Sequence, residues 1–247
     1  MSSSLANFFQ PRDILSLSEI HIWRANLDCL EDRIFQCSFS SKKREANDSS
    51  EYLQPLELSV AEKFSSPLLR KRFENSRKVT RKVLSNYLRC APQAVVFEKE
   101  VFGKPVVANF PEISFSVAHS GAVMLLAISH NLLGIDVELI KPVNSFEIAK
   151  KFFSTTESEF LKQGDHEKRF FQLWTAKEAA LKADGRGITR GLRSAFSRIE
   201  KNKVSAVDLF EKEWMINSFC FEIAEDHFMA ALAFAAPQAL IRWYDFN

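Results

Sequence analysis

The sequence predicts an α+β protein made of two halves that meet near residue 130. Three observations carry that reading: a helical apolar period from residue 67, a series of short strand-like runs between residues 94 and 140, and a second helix-then-strand succession after Pro142. Composition agrees. With 247 residues, 46% hydrophobic and 26% charged, the chain can bury one large core or two small ones, and a disordered chain is excluded.

Taken in order, residues 1–13 begin with serines and lack a basic start followed by an apolar stretch, so they do not read as a secretory signal. Residues 38–51 mix Ser, Lys, Glu, Asn and Asp without apolar periodicity and are expected to form an exposed loop. From Pro67, Phe73, Val79, Val83, Leu84, Tyr87 and Leu88 fall mostly three and four apart, which predicts one apolar helix stripe ending before Pro92. Runs at 94–97, 113–117, 123–129 and 134–140 read as strands, separated by Gly103, Pro105, Pro111 and Gly121. Helices are predicted over 146–153, 156–163 and 169–183, the last stopping at Asp184-Gly185. Runs at 194–199, 214–223 and 227–234 then close a second sheet.

Several classes of function are set aside by the same sequence. No apolar run approaches the roughly 20 residues of a membrane span, so no membrane partner is expected. Cys29, Cys37, Cys90 and Cys220 form no C-x-x-C pair, which argues against a zinc knuckle or a disulfide framework and makes a reducing, cytoplasmic setting the simple expectation. The net charge of +2 conceals a basic stretch: Arg70, Lys71, Arg72, Arg77, Lys78, Arg81, Lys82 and Arg89 against the single acid Glu74. That stretch suits an anion or an ordinary solvated helix face, while the balanced global charge argues against nucleic acid.

Three segments suggest chemistry. In Gly134-Ile135-Asp136-Val137-Glu138, strand alternation places Asp136 and Glu138 on one face. Paired carboxylates repel unless a cation or protons intervene, and hard oxygen ligands favour magnesium, manganese or calcium; alone, the pattern equally describes a solvated strand edge. On the helix over 169–183, Trp174, Glu178 and Lys182 stack four apart, so Glu178 is a candidate third carboxylate and Lys182 a candidate anion partner. A plain surface Glu–Lys pair is the other reading. His119, in the turn after a strand, is a candidate phosphate donor or a satisfied structural histidine. The turn Phe102-Gly103-Lys104-Pro105 lets backbone approach a flat ligand, and five of the seven glycines lie in or beside these motifs.

Together, F-G-K-P at 102–105, F-S-V-A-H-S at 115–120, G-I-D-V-E at 134–138 and W-T-A-K-E-A-A-L-K-A-D-G-R-G at 174–187 strongly resemble the surfactin-synthetase-activating (Sfp) type of 4′-phosphopantetheinyl transferase. The resemblance runs from about Leu58 to Gly187 and includes Arg72, Phe73, Arg77 and Arg81 in R-F-x-x-x-R-x-x-x-R. It implies two pseudo-twofold-related α+β subdomains with the active site between them. Residues 1–130 would carry the coenzyme A adenine and 3′-phosphate contacts, and residues 131–247 the metal and catalytic residues. Carried over by position, Asp136, Glu138 and Glu178 would bind Mg2+, or Mn2+ in its place. Lys177 and Lys182 would meet the coenzyme A pyrophosphate; His119, Arg77 and Arg81 would serve its phosphates; Gly103, Lys104 and Pro105 would line the adenine site. Glu157 would sit near the reaction centre, a rival to Glu178 as base. The family's usual S-H-S reads Ala118-His119-Ser120 here, which removes an expected ligand hydroxyl.

The implied reaction is transfer of 4′-phosphopantetheine from coenzyme A to a serine of an apo acyl or peptidyl carrier protein by a monomeric enzyme, releasing adenosine 3′,5′-bisphosphate. A metal-dependent nucleotide pyrophosphate hydrolase is the alternative with the same acids, and a non-catalytic nucleotide-binding module is a further one.

Overall fold

The computed structural model describes residues 15–30, 52–108, 110–187, 191–235 and 239–246. The expected loop at 38–51, the segment 1–13 and Cys37 lie outside the described residues. The chain is α+β, and its order is β1 (Glu19–Asn26), α1 (Pro55–Ala61), α2 (Pro67–Leu88), β2 (Phe97–Lys99), β3 (Pro105–Val107), β4 (Ser114–Ser120), β5 (Val123–Ser129), β6 (Leu133–Leu139), α3 (Ser145–Phe152), α4 (Thr155–Lys162), α5 (His166–Asp184), β7 (Ala195–Glu200), β8 (Lys203–Leu209), β9 (Lys212–Ile223), β10 (Asp226–Phe234) and β11 (Leu240–Phe246).

Both long helices have chemical reasons to start and stop where they do. At α2, Ser66 Oγ accepts the Leu69 N–H and Pro67 fills the first turn. The helix ends at Arg89 in the left-handed region. At α5, the Asp165 carboxylate accepts the Lys168 N–H, and Gly185 closes the helix at φ +85°. The predicted stop at Asp184-Gly185 is therefore found.

The strands form two main sheets, β11-β1-β5-β4 and β6-β10-β9-β8-β7, with β2-β3 as a separate hairpin. Helix α2 covers the first sheet, where Val79, Val83 and Leu84 pack with Trp23, Met124, Leu126 and Ile128. On its other face the first sheet meets the second, with Ile22, Leu125 and Ala127 clustered against Ile135, Val137, Ala230 and Leu232. Helix α5 covers the far side of the second sheet, where Ala176, Ala180 and Leu181 lie with Val207, Trp214 and Ala231. The layers thus run helix, sheet, sheet, helix. Strand β5 lies inside them and is buried at every position, which is why it reads in sequence as an unbroken apolar run.

The passage between sheets occurs after Ser129 and before Leu133. A division that gives all of residues 131–247 to the second half is corrected by β11, which returns to the first sheet and pairs parallel with β1, Ile241 beside Ile20 and Tyr244 beside Trp23. Its partner residues lie more than two hundred positions away, so no local pattern announces the pairing. Among the described residues, no helix is long and apolar enough to cross a membrane.

Candidate active site

The site begins with a glycine. Gly134 on β6 lies so close to α5 that an added Cβ would stand 2.1 Å from the Ala179 carbonyl oxygen and 2.4 Å from the Ala183 nitrogen. Strand and helix therefore touch backbone to backbone at this point. The approach brings Asp136, two residues along the strand, to the helix: its Oδ1 lies 2.7 Å from Lys182 Nζ. Asp136 is buried, and its Oδ2 has no hydrogen-bond partner among the described residues.

Electrostatics tie Asp136, Glu138 and Glu178 together. Burial raises the Asp136 carboxyl above its ordinary range, with Lys182 pulling the other way. Glu138 is raised by burial and then by the charge of Asp136. Glu178 is pushed up to about 7 by burial and then by Asp136, opposed by Lys182, with Glu138 adding to the rise. Asp136 thus disfavours the ionised forms of both Glu138 and Glu178, and Glu138 that of Glu178, an oxygen-only set of the kind that suits a hard dication. Among the described residues, no three His, Cys, Asp or Glu side chains converge closely enough to hold a metal ion as they stand. The Lys182 ammonium supplies the positive charge instead. The orphaned Asp136 Oδ2 and the oxygen-only donor chemistry fit a divalent ion, on condition that Lys182 releases Asp136 Oδ1.

A cavity of about 330 Å³ opens beside this cluster, and Arg77, Gly103, Lys104, Pro105, His119 and Lys182 all line it. Phe73 on α2 and Phe102 in the turn before β3 also line it; in sequence, an aromatic in either setting is indistinguishable from core. Arg77 is partly exposed and pairs with Glu57 at 3.6 Å. His119 stays partly open to solvent, and its low-dielectric surroundings, with Lys182 and Arg77 nearby, lower its pKa from the ordinary value. Lys104 turns its ammonium away to the structure: Nζ donates to the Ala183 carbonyl at 3.0 Å and to that of Leu133 at 3.4 Å. It ties the β2–β3 hairpin to the end of α5, where backbone carbonyls are otherwise unsatisfied.

The profile of the 4′-phosphopantetheinyl transferase superfamily matches residues 132–233, the stretch that carries all three carboxylates. The chain is 35% identical over 190 residues to the 4′-phosphopantetheinyl transferase HetI of Nostoc sp., covering 73% of this chain and 75% of that protein. Identity to the 4′-phosphopantetheinyl transferase Sfp of Bacillus subtilis is 30% over 158 residues, covering 63% and 70% of the two chains. With the 4′-phosphopantetheinyl transferase psf-1 of Bacillus pumilus it is 37% over 124 residues, 49% and 53% of the two. The chain belongs to the 4′-phosphopantetheinyl transferase family.

Within this transferase, some residues carried over by position fall elsewhere than expected. Lys177 does not reach the cavity. Its ammonium is buried, 2.9 Å from Glu157 Oε2, and donates to the carbonyls of Phe152 and Leu192. Glu157 is equally buried: it caps α4 by accepting the Ser154 N–H and also accepts the Ser197 N–H at 2.8 Å. Adjacent helix residues point about 100° apart, so Lys177 and Glu178 face different neighbours, and the pair 177–157 holds α4 and β7 against α5. Arg81 is likewise a structural cation, 2.8 Å from Glu57 Oε2, donating to the Val95 carbonyl and lying over Phe97.

The methyl of Ala118 lies in the apolar cluster between the sheets with Ile22, Val123 and Val137, while His119, the next residue, lines the cavity.

Proposed function

We propose that this chain transfers the 4′-phosphopantetheine group of coenzyme A to a serine hydroxyl of an apo acyl or peptidyl carrier protein, in a Mg2+-dependent reaction. The observation that carries the proposal is the Gly134 contact, which sets Asp136 against Lys182 on the helix that bears Glu178, Lys182 itself lining a cavity together with Arg77 and His119. Asp136, Glu138 and Glu178 are the residues to hold the ion. When bound, it offsets charge that builds on the transferred phosphoryl oxygens.

The remaining roles belong to the chain's own groups. Lys182, released from Asp136, stabilises the departing adenosine 3′,5′-bisphosphate, with Arg77 and His119 donating to its phosphates. Glu178 takes the serine proton, directly or through a water, because it stands in the carboxylate cluster whereas Glu157 is buried against Lys177. Gly103 and Pro105 form the wall against which the adenine lies. The expected setting is the cytoplasm and the expected form a monomer.

The test is incubation of the protein with apo-carrier protein, coenzyme A and Mg2+, read by mass spectrometry. A gain of one phosphopantetheine group on the carrier serine supports the proposal. Coenzyme A cleavage that proceeds without any carrier protein would contradict it.

A further inference from the structure

Strands β4 and β6 are the facing edges of the two sheets, and no backbone ladder joins them. In β6, alternate amides point to opposite neighbours. The Ile140 N–H donates to the His227 carbonyl on the β10 side, so the amides of Ile135, Val137 and Leu139 face β4. Ser116 Oγ accepts the Ile135 N–H at 3.1 Å, and Ser120 Oγ accepts the Leu139 N–H at 3.0 Å. Two serine side chains, four apart on both strands, thus stand in for backbone rungs across the seam. Ala118 occupies the place between them and offers no hydroxyl; the Val137 amide lies against the Asp136 carboxylate and favours its ionised form.

The two rungs differ in their surroundings: Ser116 lines the cavity, and Ser120 does not. Ser120 Oγ also lies 3.2 Å from Glu138 Oε2. Because its oxygen already accepts the Leu139 amide, the hydroxyl proton is left to donate to that carboxylate. Glu138 is therefore oriented by a group anchored to the backbone of its own strand yet carried by the opposite sheet. Ser116 makes no such carboxylate contact among the described residues.

We propose that Ser120 is a positioning residue for the divalent-ion site, coupling closure of the β4–β6 seam to the orientation of Glu138. The proposal rests on the reading of Glu138 as a ligand to that ion. Groups that orient a ligand from behind commonly change metal affinity about 10- to 100-fold when removed.

Binding of Mn2+ alone to the full chain, followed by the electron paramagnetic resonance of the free ion, tests this. Ser120→Ala is expected to weaken Mn2+ binding about tenfold, and Ser120→Thr, which keeps the hydroxyl, to bind nearly as the parent does. Ser116→Ala breaks a rung of the same kind, so it is expected to lower the thermal midpoint as Ser120→Ala does while leaving Mn2+ affinity unchanged. Parent-like affinity in Ser120→Ala, or an equal loss in Ser116→Ala, overturns the proposal. Glu138→Gln reports separately on the ligand reading. If it weakens Mn2+ binding while Ser120→Ala does not, only the positioning role falls; if it binds Mn2+ as the parent does, both fall.

Discussion

Lys182 Nζ and Asp136 Oδ1 lie 2.7 Å apart across the junction of α5 and β6, so an ammonium neutralises the most buried of the three carboxylates. Removing it leaves Asp136 without a compensating charge. In metal-free protein, Lys182→Met is expected to lower unfolding free energy by roughly 3 kcal/mol, measured by urea denaturation in the presence of a chelator. Added Mg2+ is expected to restore more stability to this variant than it adds to the parent. Equal Mg2+ effects on both proteins would separate the ammonium from the ion site.

Glu178 gives the metal-free protein a pH dependence of definite sign. Its carboxyl is raised from 4.5 to about 7 in the fold, so between those values the folded state holds a proton that the unfolded state has lost. Stability therefore falls as pH rises from about 4.5 through about 7, by roughly 3 kcal/mol at most for this group. Urea midpoints at pH 5.5 and 8 in chelator are expected to differ more for the parent than for Glu178→Gln. Divalent-ion affinity runs the other way, rising with pH as the proton leaves.

Gly134→Ala tests the contact that brings the site together. Its Cβ would meet backbone atoms of α5 at 2.1 and 2.4 Å, and backbone cannot swing aside as a flexible side chain does. The expected cost is about 3 kcal/mol or more, seen as a lower urea midpoint or loss of a cooperative transition. A midpoint equal to the parent's would mean that strand and helix are not in backbone contact.

The Lys177–Glu157 pair is expected to matter for stability rather than for coenzyme A. Lys177→Met or Glu157→Gln alone leaves a buried group without its partner and is expected to cost about 3–5 kcal/mol. The double variant Lys177→Met/Glu157→Gln is expected to cost less than the two single losses combined. At a temperature where Lys177→Met remains folded, its Michaelis constant for coenzyme A is expected to match the parent's. A rise confined to that constant would return Lys177 to the phosphate site.

These outcomes mark what the sequence does and does not reveal. The unbroken apolar run of β5 and the glycine stop of α5 are local signals, and both are legible. The alternation in Gly134-Ile135-Asp136-Val137-Glu138 likewise shows which residues turn toward the core. Strand β11 is different, because its pairing with β1 is set by contacts from the far end of the chain. In the motif Trp174-Thr175-Ala176-Lys177-Glu178, Lys177 and Glu178 look like one unit although the helix sends them to different neighbours. Glu57 shows the same gap: it gathers Arg77 and Arg81, and neither pairing is announced by a local pattern.

The central claim is that carboxylates from β6 and α5 form one site with one chemical task. The most direct measurement is the mass of an apo-carrier protein after incubation with coenzyme A, Mg2+ and either the parent or Glu178→Gln, both verified as folded by their thermal midpoints. The parent is expected to convert the carrier to its phosphopantetheinylated form and Glu178→Gln to do so at least about 100-fold more slowly. Conversion by Glu178→Gln at the parent's rate would contradict the claim.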